Sequence, residues 1–370
     1  MFVNPWKEFP VHRIYVFTEH GLTPKLVDNF FNKALEYGCN CVLDPFVGSG
    51  TVLVEAQYHG LESIGIDVNP WCLLVSRAKT QSPGDMSVIL KGFKHDFLKD
   101  LKPLIPSKRL FRYYHNEILL VLGKIRAFIE NVPVTARPLL LTVFVKLAER
   151  FSLLRKSPAP RYRNSTRKVN TDLIELFRQE VLRAIKDLSQ RRFSPPTYLI
   201  MADSTSWLPR KVEAVLTSPP FANNVDYIRH TQLALLWVGI AKDSHDLGRL
   251  RSIQVPACEA AARSWKPCLK EVWLTPYLES IGGSRSKGYR KFLMQYLYAM
   301  RNHLKLLAER LEWEAWYTIG DSILGGAYIP THEFLAKFAK ETGLKVSIEA
   351  LLERVRPGRR LYLLKILSRR

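Results

Sequence analysis

Two short apolar runs, each stopped by an aspartate and separated by a glycine-rich turn, constrain this chain more than anything else in it. Val42 and Leu43 lead into Asp44-Pro45. Gly48-Ser49-Gly50 follows, and residues 51–59 then carry an amphipathic, helix-like pattern. Ser63-Ile64-Gly65-Ile66 forms a second apolar run that ends at Asp67, and Asn69-Pro70 opens another helix reaching about Lys79. Strand, helix, strand and helix at this close spacing predict a parallel sheet with crossover helices, because parallel neighbours cannot be joined by a tight turn. The expected fold class is therefore α/β, a Rossmann-like sheet with helices on both faces.

The alternation then breaks off. Residues 81–192 are mainly of helical period, in patches at 117–130, 138–154 and 171–188. Residues 155–168 (RKSPAPRYRNSTRK) have no apolar period and are rich in Pro, Ser and basic side chains, which predicts an exposed loop. Strand-like runs resume at 198–201, ending near Asp203, and at 212–216, leading into Ser218-Pro219-Pro220-Phe221. Residues 313–319 and 361–367 read as later strands, with 289–311 and 331–342 as covering helices. The organisation expected is one discontinuous domain, residues 1–84 and 195–370, and a mainly helical insertion, residues 85–194.

Composition narrows the partners. A chain of 370 residues with 47% hydrophobic content can bury a large core. Its net charge of +21 attracts polyanions. The most apolar stretch, 138–145, lies between Arg137 and Lys146 and falls far short of the ~20 residues that span a bilayer. Residues 1–10 lack the apolar run of a signal peptide. With five cysteines, and no histidine near Cys258 and Cys268 to complete a zinc set, buried thiols, no metal site and a cytoplasmic location are expected. Scarce glutamine beside abundant Arg, Glu and Lys fits a thermophile.

A strand ending in a glycine turn before a helix lets a ligand approach the backbone and meet free N–H groups. A carboxylate at the end of the next strand can accept from both hydroxyls of a ribose. The series Asp-Pro-Phe-x-Gly-Ser-Gly-Thr at 44–51, followed by Gly65-Ile66-Asp67, resembles the first two motifs of S-adenosylmethionine-dependent amino-methyltransferases. It departs from the G-x-G-x-x-G of dehydrogenases, whose third glycine is absent. The resemblance implies S-adenosylmethionine as cofactor, with Asp44, Phe46, Gly48, Gly50 and Thr51 near its methionine part and Asp67 on its ribose. It also places Asp203 near the adenine amino group, where a plain turn residue is the competing reading. The segment Tyr15-Val16-Phe17-Thr18 resembles the motif that closes over the methionine end, which brings in Phe17 and Thr18; an ordinary loop is the alternative there.

The second motif points to the acceptor. An exocyclic base amine is a poor nucleophile, because its lone pair is delocalised into the ring. The Ser218 hydroxyl and the Pro219 carbonyl can hold its hydrogens, Pro219 and Pro220 stiffen the loop, and Phe221 offers a face for an unstacked base. Ser-Pro-Pro also occurs in plain turns, but here it follows an apolar strand, leads into an aromatic and shares a chain with the cofactor motif. Ser-Pro-Pro-Tyr or -Phe resembles the catalytic loop of cytosine-N4 methyltransferases, whereas Asp or Asn at its first position accompanies adenine N6 or guanine N2. Asn223, Asp226, Tyr227 and Arg229 continue that resemblance, either lining a base pocket or capping the next helix. The Gly320-Asp321-Ser322 turn, with Gly325-Gly326 beyond it, resembles a further loop of the family.

Basic side chains gather in three places: Arg150, Arg155, Lys156, Arg161, Arg163, Arg167 and Lys168; then Arg285, Lys287, Arg290 and Lys291; then Arg354, Arg356, Arg359 and Arg360. Such clusters bind phosphates without reading sequence, so Arg155, Lys156, Arg161, Arg163 and Arg285 are candidate nucleic-acid contacts. The cofactor motif precedes Ser-Pro-Pro-Phe, the reverse of many DNA cytosine-N4 enzymes. That order tilts the expected substrate towards a structured RNA such as ribosomal RNA. A DNA cytosine-N4 enzyme, an adenine-N6 or guanine-N2 enzyme and a non-catalytic nucleic-acid-binding protein are the alternatives.

Overall fold

The protein is described from a computed structural model over residues 5–17, 22–86, 89, 100–155, 160–162, 172–263, 269–353 and 360–368. Two of its strands, β1 (Cys41–Asp44) and β2 (Glu62–Asp67), pair in parallel, with α1 (Pro24–Tyr37) preceding them, α2 (Thr51–Tyr58) between them and α3 (Pro70–Thr80) following. Asn69 starts α3 by accepting from Trp71 N at 3.1 Å, and Pro70 fits the first turn, where no N–H is needed.

Among the described residues three α-helices follow: α4 (Asn116–Glu130), α5 (Arg137–Phe151) and α6 (Leu173–Ser189). They do not form a core of their own. Leu122 and Ile125 of α4, Leu140 and Phe144 of α5, and Phe177 and Val181 of α6 share one buried cluster with Trp71 and Val75 of α3. Polar links tie the same helices to the N-terminal segment: Arg13 forms a two-pronged pair with Asp187 at 2.6 and 2.8 Å, and the Tyr15 hydroxyl donates to Glu149 at 2.7 Å. The expected helix over 138–154 stops earlier. Residues 154–155 form a strand, β3 (Leu154–Arg155), which pairs antiparallel with β4 (Arg161–Tyr162). The described ends of the expected loop are thus a small hairpin.

The sheet continues with β5 (Thr197–Met201), β6 (Val212–Thr217) and β7 (Leu311–Gly320), and finishes with β10 (Lys345–Glu353) and β11 (Arg360–Leu367). Among the described residues seven strands make one sheet in the order β10-β11-β7-β6-β1-β2-β5. All pairs from β5 to β7 are parallel, and β11 runs antiparallel to both its neighbours. This is a Rossmann-like α/β fold. Between β6 and β7 lie α7 (Tyr227–His230), α8 (Gln232–Trp237), α9 (Ser244–Ser252), α10 (Glu259–Ala262), α11 (Thr275–Ser280) and the long α12 (Ser286–Arg310). Helix α13 (Thr331–Glu341) precedes β10.

Two further elements differ from the sequence expectation. Strand β10 was not anticipated, and the Gly325-Gly326 turn joins a hairpin of β8 (Ser322–Leu324) and β9 (Ala327–Ile329). Both glycines have positive φ, 56° and 88°, the pair of values a tight two-residue hairpin turn requires.

From β1 the chain builds outward through β2 to β5, then returns to place β6 on the other side of β1. Ligands of open α/β sheets bind at such a reversal, beyond the carboxyl ends of the strands. Asp44, Asp67 and Thr217 end their strands on that edge.

Candidate active site

The Asp44 carboxylate spans the reversal point. Its Oδ1 accepts from the Thr217 hydroxyl at 2.6 Å and from Phe46 N at 3.1 Å, joining the end of β1 to the end of β6. The second carboxylate, Asp67, accepts from Gly48 N at 3.1 Å and from Asn69 N at 2.8 Å, which fixes the glycine turn against the end of β2. Gly48 and Gly50 both have positive φ, and a Cβ on Gly50 would stand 2.7 Å from the Ser76 hydroxyl oxygen. The turn therefore needs glycine there for both space and conformation. Beneath it, the buried Lys79 ammonium donates to Ser49 O at 2.8 Å and to Tyr15 O at 2.6 Å, locking the turn to the segment that carries Phe17.

One cavity collects these groups. It is lined by Phe17, Asp44, Phe46, Gly48, Thr51, Asp67 and Asp203 on one side, and by Ser218, Pro219, Pro220, Phe221 and Tyr227 on the other. Asp203 also accepts from Thr205 N at 2.9 Å and from its hydroxyl at 2.8 Å, so it makes a local turn and faces the cavity as well. The two halves are braced together: Asn69 Nδ2 donates to the Thr231 hydroxyl at 3.0 Å, and that hydroxyl donates to Tyr227 O at 3.0 Å.

The catalytic-loop candidates are held from several directions. Phe221 N donates to the Tyr227 hydroxyl at 3.2 Å. The Phe221 ring lies so close to Gly320 that a Cβ there would meet it at 2.7 Å. Behind Phe46, His303 Nδ1 donates to Ser204 O at 2.8 Å, which leaves Nε2 to accept from the Tyr317 hydroxyl at 2.6 Å. Burial lowers this histidine to about 4, so the wall behind the cavity stays neutral. Among the described residues no protein group bonds the Ser218 hydroxyl, which leaves it available to a ligand.

The electrostatics of the cavity oppose those of the whole protein. The chain carries +21, yet among the described residues no Lys or Arg lines this cavity, and three aspartates do. Burial pushes the Asp44 carboxyl up to about 7, against the hydrogen bonds from Thr217 and Phe46, and the charge of Asp67 adds to the rise. Asp67 is raised to about 6, again by burial, despite the donors Asn69 and Gly48. Two carboxylates so strained against ionisation favour a ligand that brings positive charge.

The chain is 25% identical over 278 residues to the type II methyltransferase M.MvaI of Kocuria varians, covering 65% of this chain and 60% of that protein. It is 23% identical over 306 residues to the type II methyltransferase M.BsoBI of Geobacillus stearothermophilus, covering 71% and 59%. A shorter match, 38% over 71 residues, links it to the type II methyltransferase M.MjaII of Methanocaldococcus jannaschii, covering 19% and 13%. The chain is similar to type II methyltransferases. It spans no more than 60% of the length of these relatives. No protein-family profile matches it.

Several predicted residues stand outside the cavity. Gly50 sits behind the turn as the residue that starts α2. Asp226 caps α7, accepting from Arg229 N at 3.0 Å, and pairs with Arg251 Nε at 2.7 Å. Asn223 follows the Ser218–Phe221 loop, its N donating to Phe221 O at 2.8 Å. Arg229 reaches Pro160 O at 3.4 Å, which sets the β3–β4 hairpin, with the exposed Arg155 and Arg161, beside α7. Arg285 is exposed at the start of α12. Thr18, Lys156 and Arg163 lie outside the described residues.

Sequence reasoning passed over Asn69, Cys72, His230, Thr231 and Gln254, all of which line the cavity. Asn69 announces itself only as a helix cap before Pro70. His230 ends the stretch, residues 223–230, that continues the resemblance, while Cys72, Thr231 and Gln254 belong to no motif.

Proposed function

We propose that this chain transfers a methyl group from S-adenosylmethionine to the exocyclic N4 amine of a cytosine in nucleic acid. The observation that carries the reading is that the Asp44–Thr51 turn, Asp67 and the Ser218–Phe221 loop line a single acidic cavity. The cofactor is S-adenosylmethionine, which supplies an electrophilic methyl on a positively charged sulfur; the acidic lining of the cavity, with no Lys or Arg among the described residues, fits that charge.

Asp67 would hold the ribose hydroxyls, and Asp44 with the glycine turn the methionine part, while Asp203 stands at the strand end assigned to the adenine. Phe17 closes the same side. Opposite them, Phe221 gives a flipped base a face to stack on. Ser218 Oγ and the Pro219 carbonyl would accept hydrogen bonds from the two amine hydrogens, which turns the nitrogen lone pair out of the ring. As nitrogen gains the methyl the cofactor would leave as a neutral thioether, and the amine would shed one proton to solvent. Thr217, bonded to Asp44 and adjacent to Ser218, sets the distance between the two halves. The work is orientation, with no covalent enzyme intermediate.

The type II methyltransferase relatives fit DNA at least as well as RNA. DNA is therefore the first substrate to test. Structured RNA is the second reading, supported by the order of the two motifs. In either case the helices between residues 85 and 194, with the basic hairpin beside α7, would grip the backbone phosphates.

The test is transfer of labelled methyl from S-adenosylmethionine to genomic DNA and to ribosomal RNA, both from a strain lacking this gene, with nucleoside mass spectrometry of the product. N4-methyldeoxycytidine or N4-methylcytidine is the expected product and names the substrate. Label on adenine N6 or guanine N2 would overturn the cytosine reading. No transfer to either, with the cofactor bound, would favour a non-catalytic binding protein.

A further inference from the structure

Gln254 is 5% exposed, and its Nε2 has no hydrogen-bond partner among the described residues. The side chain lines the same cavity as Ser218, Phe221 and Tyr227. Buried amide groups are satisfied in native proteins, so an orphan donor on a side chain that lines a cavity points to a ligand that supplies the acceptor.

The segment bearing Gln254 is clamped to the stretch just after the catalytic loop on both sides. Before it, Arg251 of α9 pairs with Asp226 at 2.7 Å. After it, Glu259 N, at the start of α10, donates to Asn224 Oδ1 at 3.0 Å. Asn224 holds a positive φ of 60° to make that contact. Val255, next to Gln254, is buried and lines the cavity too, and its carbonyl accepts from Ala257 N at 2.7 Å. Gln254 is thus a rigidly placed donor on the wall of the cavity, not a surface side chain folded inward.

Resting on the reading of the cavity as a cytosine-N4 site, we propose that Gln254 determines base specificity by donating to the acceptor edge of the target cytosine. The Ser218 and Pro219 acceptors can grip only the amine. The ring edge beside that amine presents N3 and then O2, both acceptors, and neither is served by them. The amide NH2 of glutamine carries two donors and suits that edge. Uracil presents an N3–H there and repels the donor. Adenine offers one acceptor, N1, followed by a C–H. A donor on this wall therefore favours cytosine twice over.

The test compares Gln254→Glu and Gln254→Met with the wild type, using genomic DNA and ribosomal RNA from a strain lacking the gene as acceptors. Gln254→Glu keeps the shape but presents acceptors when ionised. It should lower kcat/KM for methyl transfer about 30- to 100-fold at pH 8.5, with the cofactor Kd within threefold of wild type. The ratio to wild type should recover at pH 5.5, where the substituted carboxyl regains a proton to donate. Gln254→Met, apolar and of similar length, should lose about as much at both pH values. Equal turnover in all three proteins, or a cofactor Kd that weakens in step with turnover, would overturn the assignment. If the wild type methylates a base other than cytosine, or nothing, the functional reading fails and takes this inference with it. If it makes N4-methylcytosine and the variants match it, only the role of Gln254 fails.

Discussion

Replacing Asp44 by asparagine should make the protein more stable and less able to bind its cofactor, and both effects should follow pH. In the folded chain the Asp44 carboxyl is 2% exposed and titrates at about 7, against an ordinary value of 3.8, because burial disfavours its charge. An acid raised on folding holds its proton in the native state after the unfolded chain has released it. Stability is therefore lost as pH rises from about 4 to about 7, and the full loss persists above that. Three pKa units correspond to about 4 kcal/mol as a ceiling. Relaxation and water entry should bring the realised gain on substitution to about 2–3 kcal/mol, or roughly 3–4 °C in Tm for a chain of this size. Asparagine keeps the oxygen that accepts from Thr217 and Phe46 N, so the strand ends should stay joined. Calorimetry of wild type and Asp44→Asn from pH 5 to pH 9 reads the difference directly: it should grow with pH and level off above 7. Titration calorimetry with S-adenosylmethionine should show affinity at pH 8 weakened about 10- to 100-fold, and less so at pH 6, where the wild-type carboxyl is itself largely protonated. A Tm difference that is flat with pH would refute the reasoning from burial. A stabilised protein with unchanged cofactor affinity would remove Asp44 from the cofactor site.

Three further substitutions separate the parts of the site. Ser218→Ala should lower kcat at least 100-fold while leaving the cofactor Kd within threefold, measured by single-turnover methylation and calorimetry; equal losses in both would contradict its role on the amine. Asp67→Ala should weaken cofactor binding at least 30-fold, since it removes the carboxylate and frees Gly48 N and Asn69 N from their acceptor; unchanged binding would take Asp67 out of the site. Gly320→Ala places a methyl 2.7 Å from the Phe221 ring, and the displaced ring should lower kcat/KM for nucleic acid about tenfold or more with the cofactor Kd unchanged. Stability should fall by about 1–3 kcal/mol, as for other overpacked sites, and full activity in a folded Gly320→Ala protein would show that the ring does not carry the base.

The centre of the sheet was legible because its signals are local. Parallel strands buried on both faces read as short apolar runs, and Asp44, Asp67, Asp203 and Ser218 mark where each run meets the ligand edge. The rim was harder. Strand β10 is exposed at most of its described positions, Lys345 and Glu349 among them, and a run that buries so little gives little warning of an edge strand. The β8–β9 hairpin was visible only as a pair of glycines, whose positive φ values become meaningful once the flanking residues are seen to pair. The helices of residues 85–194 were read as helices, but nothing in their period foretold that Leu122, Phe144 and Phe177 would pack with Trp71 in one core. Amphipathic faces announce that they will be buried, not what will bury them.

The same division runs through the cavity. Residues within the two motifs could be proposed from spacing alone, because a glycine turn and a Ser-Pro-Pro loop carry their chemistry along a few consecutive positions. Asp226 shows the limit: a carboxylate just after the loop can cap a helix or face a base, and only its bonds to Arg229 N and Arg251 show that it caps and clamps. That clamp is what carries Gln254 to the cavity wall from 33 to 36 positions beyond the Ser218–Phe221 loop. A side chain delivered by an ion pair between one helix and the cap of another leaves no periodic or motif signature. It is visible only as a buried donor without an acceptor, which is why the residue argued to choose the base is one that the sequence could not nominate.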